Sequence, residues 1–378
     1  MHICFLTNEY PKQGQSHGGI GTFVKFLAEN LVANDVVVSI VGVNNNLLNE
    51  NTIDKNVSIY RLGKSQWKFG KFYHHNRKIQ NKLKEIHLQN PIDIVEGSEL
   101  NFAFFPNNTP YKKLIRLHGG HHFFAIEQGI KPALWRGYQE KKSFKKADYF
   151  VSVSDFVGNQ TKKYLNADFS FKTIYNSIKL NTFYQSNIIK EEPYKLVFIG
   201  TVCEKKGIDK LILALPLIKK KHPKVTLDIV GRDWFSKEGK SYIKYLKTII
   251  DINVKENINF LGSMPYQTLP KIIESSQVCV FPSIVESFGL TIIEAMAMGK
   301  AVAASNIKPF KEIVANSNSV SFFNSNSIKD ISDKISVLLS DKELREDNGK
   351  KGRAHIYNMF DTNKILDDNI HFYKSILS

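Results

Sequence analysis

Two glutamates, Glu286 and Glu294, bracket the segment ESFGLTIIE, with Phe288, Gly289 and Leu290 between them. The residues before it, VCVFPS from Val278, form a short apolar run that predicts a buried strand. The residues after it, IIEAMAMGK, predict a helix ending at Gly299. Glu286 therefore stands where a strand leaves a sheet, and a helix N-terminus with free backbone N–H groups follows at once. Such a place suits an anionic, hydroxyl-rich ligand, because carboxylates accept from hydroxyls and the N–H groups receive negative charge. Thr291 and Glu294 also make T-x-x-E, the spacing of a helix capping box. Glu294 thus has a structural reading beside the ligand reading, whereas Glu286 has no capping duty in that turn.

Other chemistry-bearing residues also fall directly after short apolar runs. Gly18, Gly19 and Gly21 follow the first run and precede a helix, which suits close backbone approach to a phosphate. The spacing is not G-x-G-x-x-G, and a glycine-rich turn also has a purely structural use. His118 ends KLIRLH and precedes Gly119 and Gly120; it is placed either to meet a substrate hydroxyl or simply to pack. Gly200 ends KLVFIG and opens a loop with Thr201, Lys205, Lys206 and Gly207. Lys206 at a helix start can pair with a diphosphate, although an exposed lysine is ordinarily just solvated. Gly231 and Arg232 end VTLDIVG. Ligands of open parallel sheets bind outside the carboxyl ends of the strands, so the convergence of these positions outweighs any one of them.

The elements that must position these residues alternate along the chain. Strands are predicted at HICFLTN, VVVSIVGV, IDIVEG, KLIRLH, YFVSVS and KTIYN in the first half. A second series runs KLVFIG, VTLDIVG, NINFLG, VCVFPS, AVAASN and SVSFF. Amphipathic helical segments lie between them, the pattern of βα units around parallel sheets. Pro216 is expected to kink or shorten its helix. At 378 residues two domains are the natural expectation. The polar stretch from Gln185 to Pro193 marks the boundary, giving 1–185 and 186–356, with an apolar helical tail over 357–378 that packs back on one of them.

Composition narrows the remaining classes. Hydrophobic content of 42% excludes a disordered chain. Cys4, Cys203 and Cys279 sit apart in or beside apolar runs, which reads as buried reduced thiols. No CxxC or paired-histidine spacing raises a metal site, and none is expected. No leader-like segment and no bilayer-length apolar run occur, so a cytoplasmic location is expected. The net charge of +16 implies an anionic partner: nucleic acid, a membrane surface or a phosphorylated ligand. Residues 1–185 carry about ten of the excess positive charges. Within them, Lys64 to Lys84 mixes cations with Trp67, Phe69, Phe72 and Tyr73, and Trp135 to Lys146 is similar. Both suit the inner face of an anionic membrane, or equally a solvated basic helix over a small aromatic cluster.

Taken together, these residues resemble the retaining glycosyltransferases of family 4. The most specific part is E-x7-E at Glu286 and Glu294 within FPSIVESFGLTIIEAMAMGK. FIGTVCEKKGIDKLILAL, LDIVG, INFLGSMPYQTLP, ADYFVSVSDF, TIYNSI and GGIGTFV support it in order, over nearly the whole chain. The resemblance implies the GT-B fold, two Rossmann-like parallel-sheet domains facing a central cleft, with the last helix crossing back to the N-terminal domain. It implies a nucleotide-sugar donor, with UDP the common nucleotide, and transfer to a glycan or lipid-linked acceptor without a cofactor or required metal. Cell-surface polysaccharide or lipopolysaccharide synthesis is the expected setting.

By the same resemblance Glu286 contacts the donor sugar, with the main chain of Phe288, Gly289 and Leu290 near sugar and phosphate. Glu294 holds the ribose and Lys206 the diphosphate. His118 lies by the transferred sugar, and Gly18 and Gly19 approach the phosphates. Thr201 stands where the family often has arginine, which leaves Lys205 or Arg232 to supply the missing charge. Ala301 replaces a common proline, and Asn306 to Phe310 replaces a segment with a glycine pair. A GT-B-like sugar-nucleotide epimerase is the nearest rival, told apart by acceptor-free isomerisation of the donor. A nucleic-acid-binding protein would explain the charge, but no RRM, KH or zinc-finger pattern occurs. A nicotinamide dehydrogenase lacks its glycine fingerprint here.

Overall fold

The structure is a computed structural model that describes residues 1–12, 18–66, 70–236 and 238–378. It divides into two compact units, residues 1–177 with 362–378 and residues 178–361.

The first unit begins with β1 (His2–Leu6), α1 (Gly19–Val32), β2 (Val37–Val43), β3 (Glu50–Asp54) and β4 (Val57–Leu62). It continues through α2 (Lys71–Gln89), β5 (Ile94–Gly97), β6 (Lys112–Leu117), α3 (His121–Glu127) and α4 (Leu134–Phe144). β7 (Tyr149–Ser152), α5 (Asp155–Leu165) and β8 (Lys172–Thr173) complete its main chain segment. Among the described residues the strands form one sheet in the order β3-β4-β2-β1-β5-β6-β7-β8. All neighbours pair in parallel except β3 and β4, which form an antiparallel edge. β1 is wholly buried because helices cover both faces of a parallel sheet. α1 turns Phe23, Val24, Leu27, Ala28 and Leu31 to the core at helical spacing.

The second unit holds β9 (Lys195–Ile199), α6 (Ile208–Lys221), β10 (Thr226–Val230), α7 (Tyr242–Ile249) and β11 (Ile258–Gly262). α8 (Leu269–Ser275), β12 (Val278–Phe281), α9 (Leu290–Ala297), β13 (Ala301–Ser305) and α10 (Lys308–Val314) follow. β14 (Val320–Phe323), α11 (Ile328–Ser340) and α12 (Lys342–Met359) end it. Its strands lie in the order β11-β10-β9-β12-β13-β14, all parallel. The first strand of the unit, β9, has β10 on one side and β12 on the other. The direction of winding reverses there, and at such a reversal ligands of open parallel sheets bind in the crevice outside the carboxyl ends of the strands. α6 runs uninterrupted through Pro216 and buries Leu211, Ile212, Leu215 and Ile218. The three cysteines are buried and unpaired.

The last helix, α13 (Thr362–Ser375), belongs to the first unit. Arg116, wholly buried on β6, donates from Nε to Glu96 Oε1 at 2.6 Å and from Nη2 to Asn369 Oδ1 at 2.7 Å. The Tyr373 hydroxyl donates to Glu96 Oε2 at 2.7 Å. A buried ion pair on adjacent strands thus anchors a helix more than 200 positions away in sequence.

The expected boundary at Gln185 lies inside the second unit. That polar stretch is not a linker: Ser186 N donates to Met298 O at 2.9 Å, and Glu192 N to Ser275 O at 2.9 Å. Asn187 N donates to Glu274 Oε1 at 3.1 Å. The return to the first unit falls at 361/362, past the expected 356/357. α12 carries the second unit through Ile356, and Phe360 packs on Phe288 of that unit.

The buried network predicts unequal costs for two substitutions. Arg116→Met strands Glu96 as an uncompensated buried charge and should cost about 3–5 kcal/mol. Tyr373→Phe removes the hydrogen bond donated to Glu96 and the one accepted from Arg116 Nη2 but leaves the ion pair whole, and should cost about 1–2 kcal/mol. Urea unfolding followed by tryptophan fluorescence and circular dichroism measures both; equal costs would mean that the ion pair does not anchor the helix.

Candidate functional site

The crevice of the second unit lies between the loops that follow β9 and β12. After β9 the chain turns at Gly200, passes Thr201 and reaches a single turn of 3-10 helix over Glu204–Lys206. Gly207 closes that turn at φ +64°, and a Cβ there would meet Pro282 O at 2.0 Å. Only glycine allows the two loops to approach so closely. The carbonyl of Lys205 accepts from Ile284 N at 2.8 Å and Val285 N at 3.3 Å, which stitches one loop to the other.

That stitching brings Lys206 and Glu286 together as an ion pair between Nζ and Oε1. Both side chains are largely buried, at 19% and 10% exposure. Ser283 Oγ donates to the same Oε1 at 3.0 Å. Lys205 stands next to them, half-buried; burial lowers its pKa and the Lys206 charge lowers it further. Arg232, after β10, is exposed, and among the described residues its side chain has no partner. Thr201 supplies no cation, so Lys205, Lys206 and Arg232 make the positive side of the crevice and Glu286 the negative one.

α9 follows with Gly289 as its N-cap at φ +99°, where any Cβ would strike the Phe310 ring at 2.6 Å. No side chain caps this end, so its N–H groups remain available to an anion. Phe288 is buried and edge-on to Phe360 at 5.9 Å, leaving its main chain as the part that can meet a ligand. Leu290 opens the helix.

Glu294 is not a cap. It lies inside α9, buried, and accepts from the Tyr266 hydroxyl at 2.8 Å. Burial pushes its carboxyl up to about 8, with the Tyr266 hydrogen bond acting in the other direction. Near neutral pH it is chiefly a neutral acid that both donates and accepts, a fit for vicinal hydroxyls. Tyr266 and Ser283 are partners that the sequence reading missed. Tyr266 follows β11, in the quoted run INFLGSMPYQTLP, and only the tertiary fold puts it against Glu294.

In the first unit, β1 is the strand at which winding reverses, with β2 and β5 beside it. A cavity of about 170 Å3 opens at the carboxyl ends there, lined in part by Thr7, Glu9, Ser98, Asn101, Arg116 and His118. His118 N donates to Glu99 Oε1 at 2.7 Å, and its ring lies edge-on to Phe23 at 5.3 Å. Burial, with the Arg116 guanidinium adding, holds the imidazole at about 3, so it stays neutral. Burial pushes Glu99 up to about 8. Arg116 lines this cavity, and its buried Nη1 has no partner among the described residues. Gly18 is the N-cap of α1 and Gly19 its first residue. A Cβ on Gly18 would meet Glu9 Oε2 at 2.4 Å and one on Gly21 would meet Glu9 O at 2.0 Å, so this glycine loop closes over Glu9. Among the described residues no group of three His, Cys, Asp or Glu side chains is arranged to hold a metal ion.

Residues 181–355 match the family described as glycosyl transferases group 1. The whole chain is similar to the uncharacterized glycosyltransferase MJ1607 of Methanocaldococcus jannaschii, 24% identical over 99% of this chain and 98% of that protein. In fold it is similar to sucrose-phosphate synthase from Thermosynechococcus elongatus, with a TM-score of 0.85 and 19% identity over 99% and 98% of the two chains. It is also similar to Anabaena Alr3699/HepE, solved in complex with UDP-glucose, with a TM-score of 0.77 and 16% identity over 99% and 100%. These likenesses identify the paired α/β units as a GT-B architecture.

The raised pKa of Glu294 fixes the sign of a pH effect. The unfolded carboxyl ionises near its ordinary 4.5, the folded one only near 8. The wild-type chain therefore loses stability as pH climbs between these values. Glu294→Gln keeps an acceptor for Tyr266 and lacks the penalty. Its unfolding free energy relative to wild type should rise from pH 5 to pH 8, by a difference on the order of 1–3 kcal/mol, measured by thermal and urea unfolding. A pH-independent difference would show that Glu294 ionises normally in the fold.

Proposed function

Since the chain is a glycosyltransferase of the GT-B fold whose residues 181–355 form a glycosyl transferases group 1 domain, we propose that it transfers a hexosyl group from a UDP-sugar to an acceptor hydroxyl with retention at the anomeric carbon. The observation that carries this reading is the Lys206–Glu286 pair at the winding reversal of the second unit, beside the uncapped start of α9. A bound UDP-sugar divides that pair. Its diphosphate takes Lys206, with Lys205 and Arg232 nearby, and its sugar hydroxyls take the released Glu286. Glu294 and Tyr266 hold the ribose. The complex of HepE with UDP-glucose supports this choice of donor.

In the reaction the bond from the anomeric carbon to the diphosphate oxygen breaks, and the acceptor oxygen bonds to the same face of that carbon. The acceptor proton passes to the departing diphosphate. The transition state has oxocarbenium character, as in glycoside hydrolysis. Lysine charge and helix N–H groups meet the negative charge that develops on the leaving group, so no metal ion is assigned a role. His118, in the first unit, has a neutral imidazole that can exchange a hydrogen bond with a hydroxyl; it does not act as a cationic acid.

The acceptor is read as a glycan or lipid-linked glycan of cell-surface synthesis. Among the described residues no helix is long and apolar enough to cross a membrane. One face of the first unit nevertheless suits an anionic membrane surface. Leu134, Trp135 and Tyr138 on α4 and Tyr73 on α2 are exposed large side chains. Trp135 stacks on Tyr138 at 5.9 Å, and Lys142 Nζ lies 4.7 Å from the Phe104 ring centre. Trp67 and Phe69, the other aromatics of the basic segment, lie outside the described residues.

Incubating the chain with UDP-sugars and acceptor extracts, then following UDP release and the anomeric proton signal by NMR, tests the reaction. Glu286→Gln should lower transfer by about 100-fold or more with little change in folding. Full activity in that variant would refute the assignment, inverted product would refute retention, and isomerised donor without transfer would identify an epimerase.

A further inference from the structure

The carboxyl edge of the first sheet carries a second recess, of about 340 Å3, that none of the roles above uses. Lys64 and Ser65 enter it from the loop directly after β4. His74, Arg77, Lys78 and Asn81 enter it from α2. Their spacing, i, i+3, i+4 and i+7, puts all four on one stripe of that helix. The recess is lined by three permanent cations and a histidine, and by no carboxylate.

The backbone that presents these groups is fixed. Lys64 N donates to Asn46 O at 2.7 Å, Ser65 N to His75 Nε2 at 2.9 Å, and Lys78 Nζ to Gly63 O at 2.7 Å. Elsewhere on this unit Lys12, Lys25, Lys55 and Lys82 have carboxylate partners. Among the described residues the side chains of Lys64 and Arg77 have none. Like charges gathered in one recess repel each other unless an anion joins them, and a guanidinium beside an ammonium matches phosphate oxygens.

We infer that this recess binds a phosphoryl group carried by the acceptor. The inference deepens the acceptor half of the proposed reaction and rests on it. In the sheet, β4 is separated from β1 only by β2. Strands spaced by about 4.8 Å set the recess about 10 Å along the carboxyl edge from the β1 end of the cavity and about 19 Å from His118, which follows β6. An acceptor anchored by its phosphate at Lys64 and Arg77 therefore reaches along that edge toward His118. The phosphate belongs either to a water-soluble sugar phosphate or to a lipid phosphate headgroup. The exposed Tyr73, next to His74 on α2, is compatible with both.

The full chain, saturated with UDP so that the donor crevice is filled, is titrated with pyrophosphate and with glucose 6-phosphate by calorimetry. It is also tested for sedimentation with phosphatidylcholine vesicles containing either phosphatidic acid or phosphatidylglycerol at matched surface charge. The double substitution Lys64→Gln with Arg77→Gln should weaken binding of the phosphate probes by about tenfold or more. Lys145→Gln with Lys163→Gln, which removes the same charge elsewhere on the unit, should not. UDP binding measured separately should be unchanged in both, which keeps a failure of this recess distinct from a failure of the donor site. Binding of glucose 6-phosphate with no preference between vesicles identifies a soluble acceptor; preference for phosphatidic acid that the recess variant loses identifies a lipid one. Absence of wild-type binding to every probe, or equal loss in the two double variants, overturns the inference.

Discussion

The ion pair of Lys206 and Glu286 is the contact on which the proposed chemistry of the second unit depends. Its two members come from loops after β9 and β12, 80 positions apart in sequence. They meet because the sheet reverses its winding between those strands and because Gly207 lets one loop lie against Pro282. The pair is largely out of water, so each charge is satisfied by the other, and Glu286 also by Ser283. A ligand that enters must offer both an anion and hydroxyls to replace what it breaks. A diphosphate joined to a sugar does this, whereas a bare anion leaves Glu286 unpartnered and a neutral sugar leaves Lys206 unpartnered.

The same logic of burial separates the two glutamates of the opening motif. Glu286 is paired with a lysine, whereas Glu294 lies beside a tyrosine with its pKa raised by burial. One carboxylate is suited to accept only, the other to accept and donate. His118 follows a third pattern, in which burial and a neighbouring guanidinium keep an imidazole neutral. Burial thus shifts Glu294 and His118 in opposite directions, each toward its neutral form.

Much of this was legible in the chain. The four inner strands of the second unit, β10, β9, β12 and β13, read as apolar runs because parallel strands buried on both faces need no polar alternation. The edge strand β3 was missed for the opposite reason: ENTID is polar and mostly exposed, and only its pairing with β4 makes it a strand. The Gln185–Pro193 stretch looked like a linker because it is polar, yet its backbone groups are bonded into the second unit. Strand-end placement singled out Glu286 and Lys206 separately. That they bond each other, and that Tyr266 bonds Glu294, depends on sheet order and loop approach, which local sequence does not encode.

Glu286 in this account serves the donor sugar, while in the absence of donor it occupies the lysine that the diphosphate needs. Calorimetric titration of UDP, which has the diphosphate and no sugar, into wild type and Glu286→Gln tests that claim most directly. Removing the carboxylate charge frees Lys206 and removes a repulsion, so the variant should bind UDP at least as tightly as wild type. A variant that loses UDP binding while remaining folded would contradict the account.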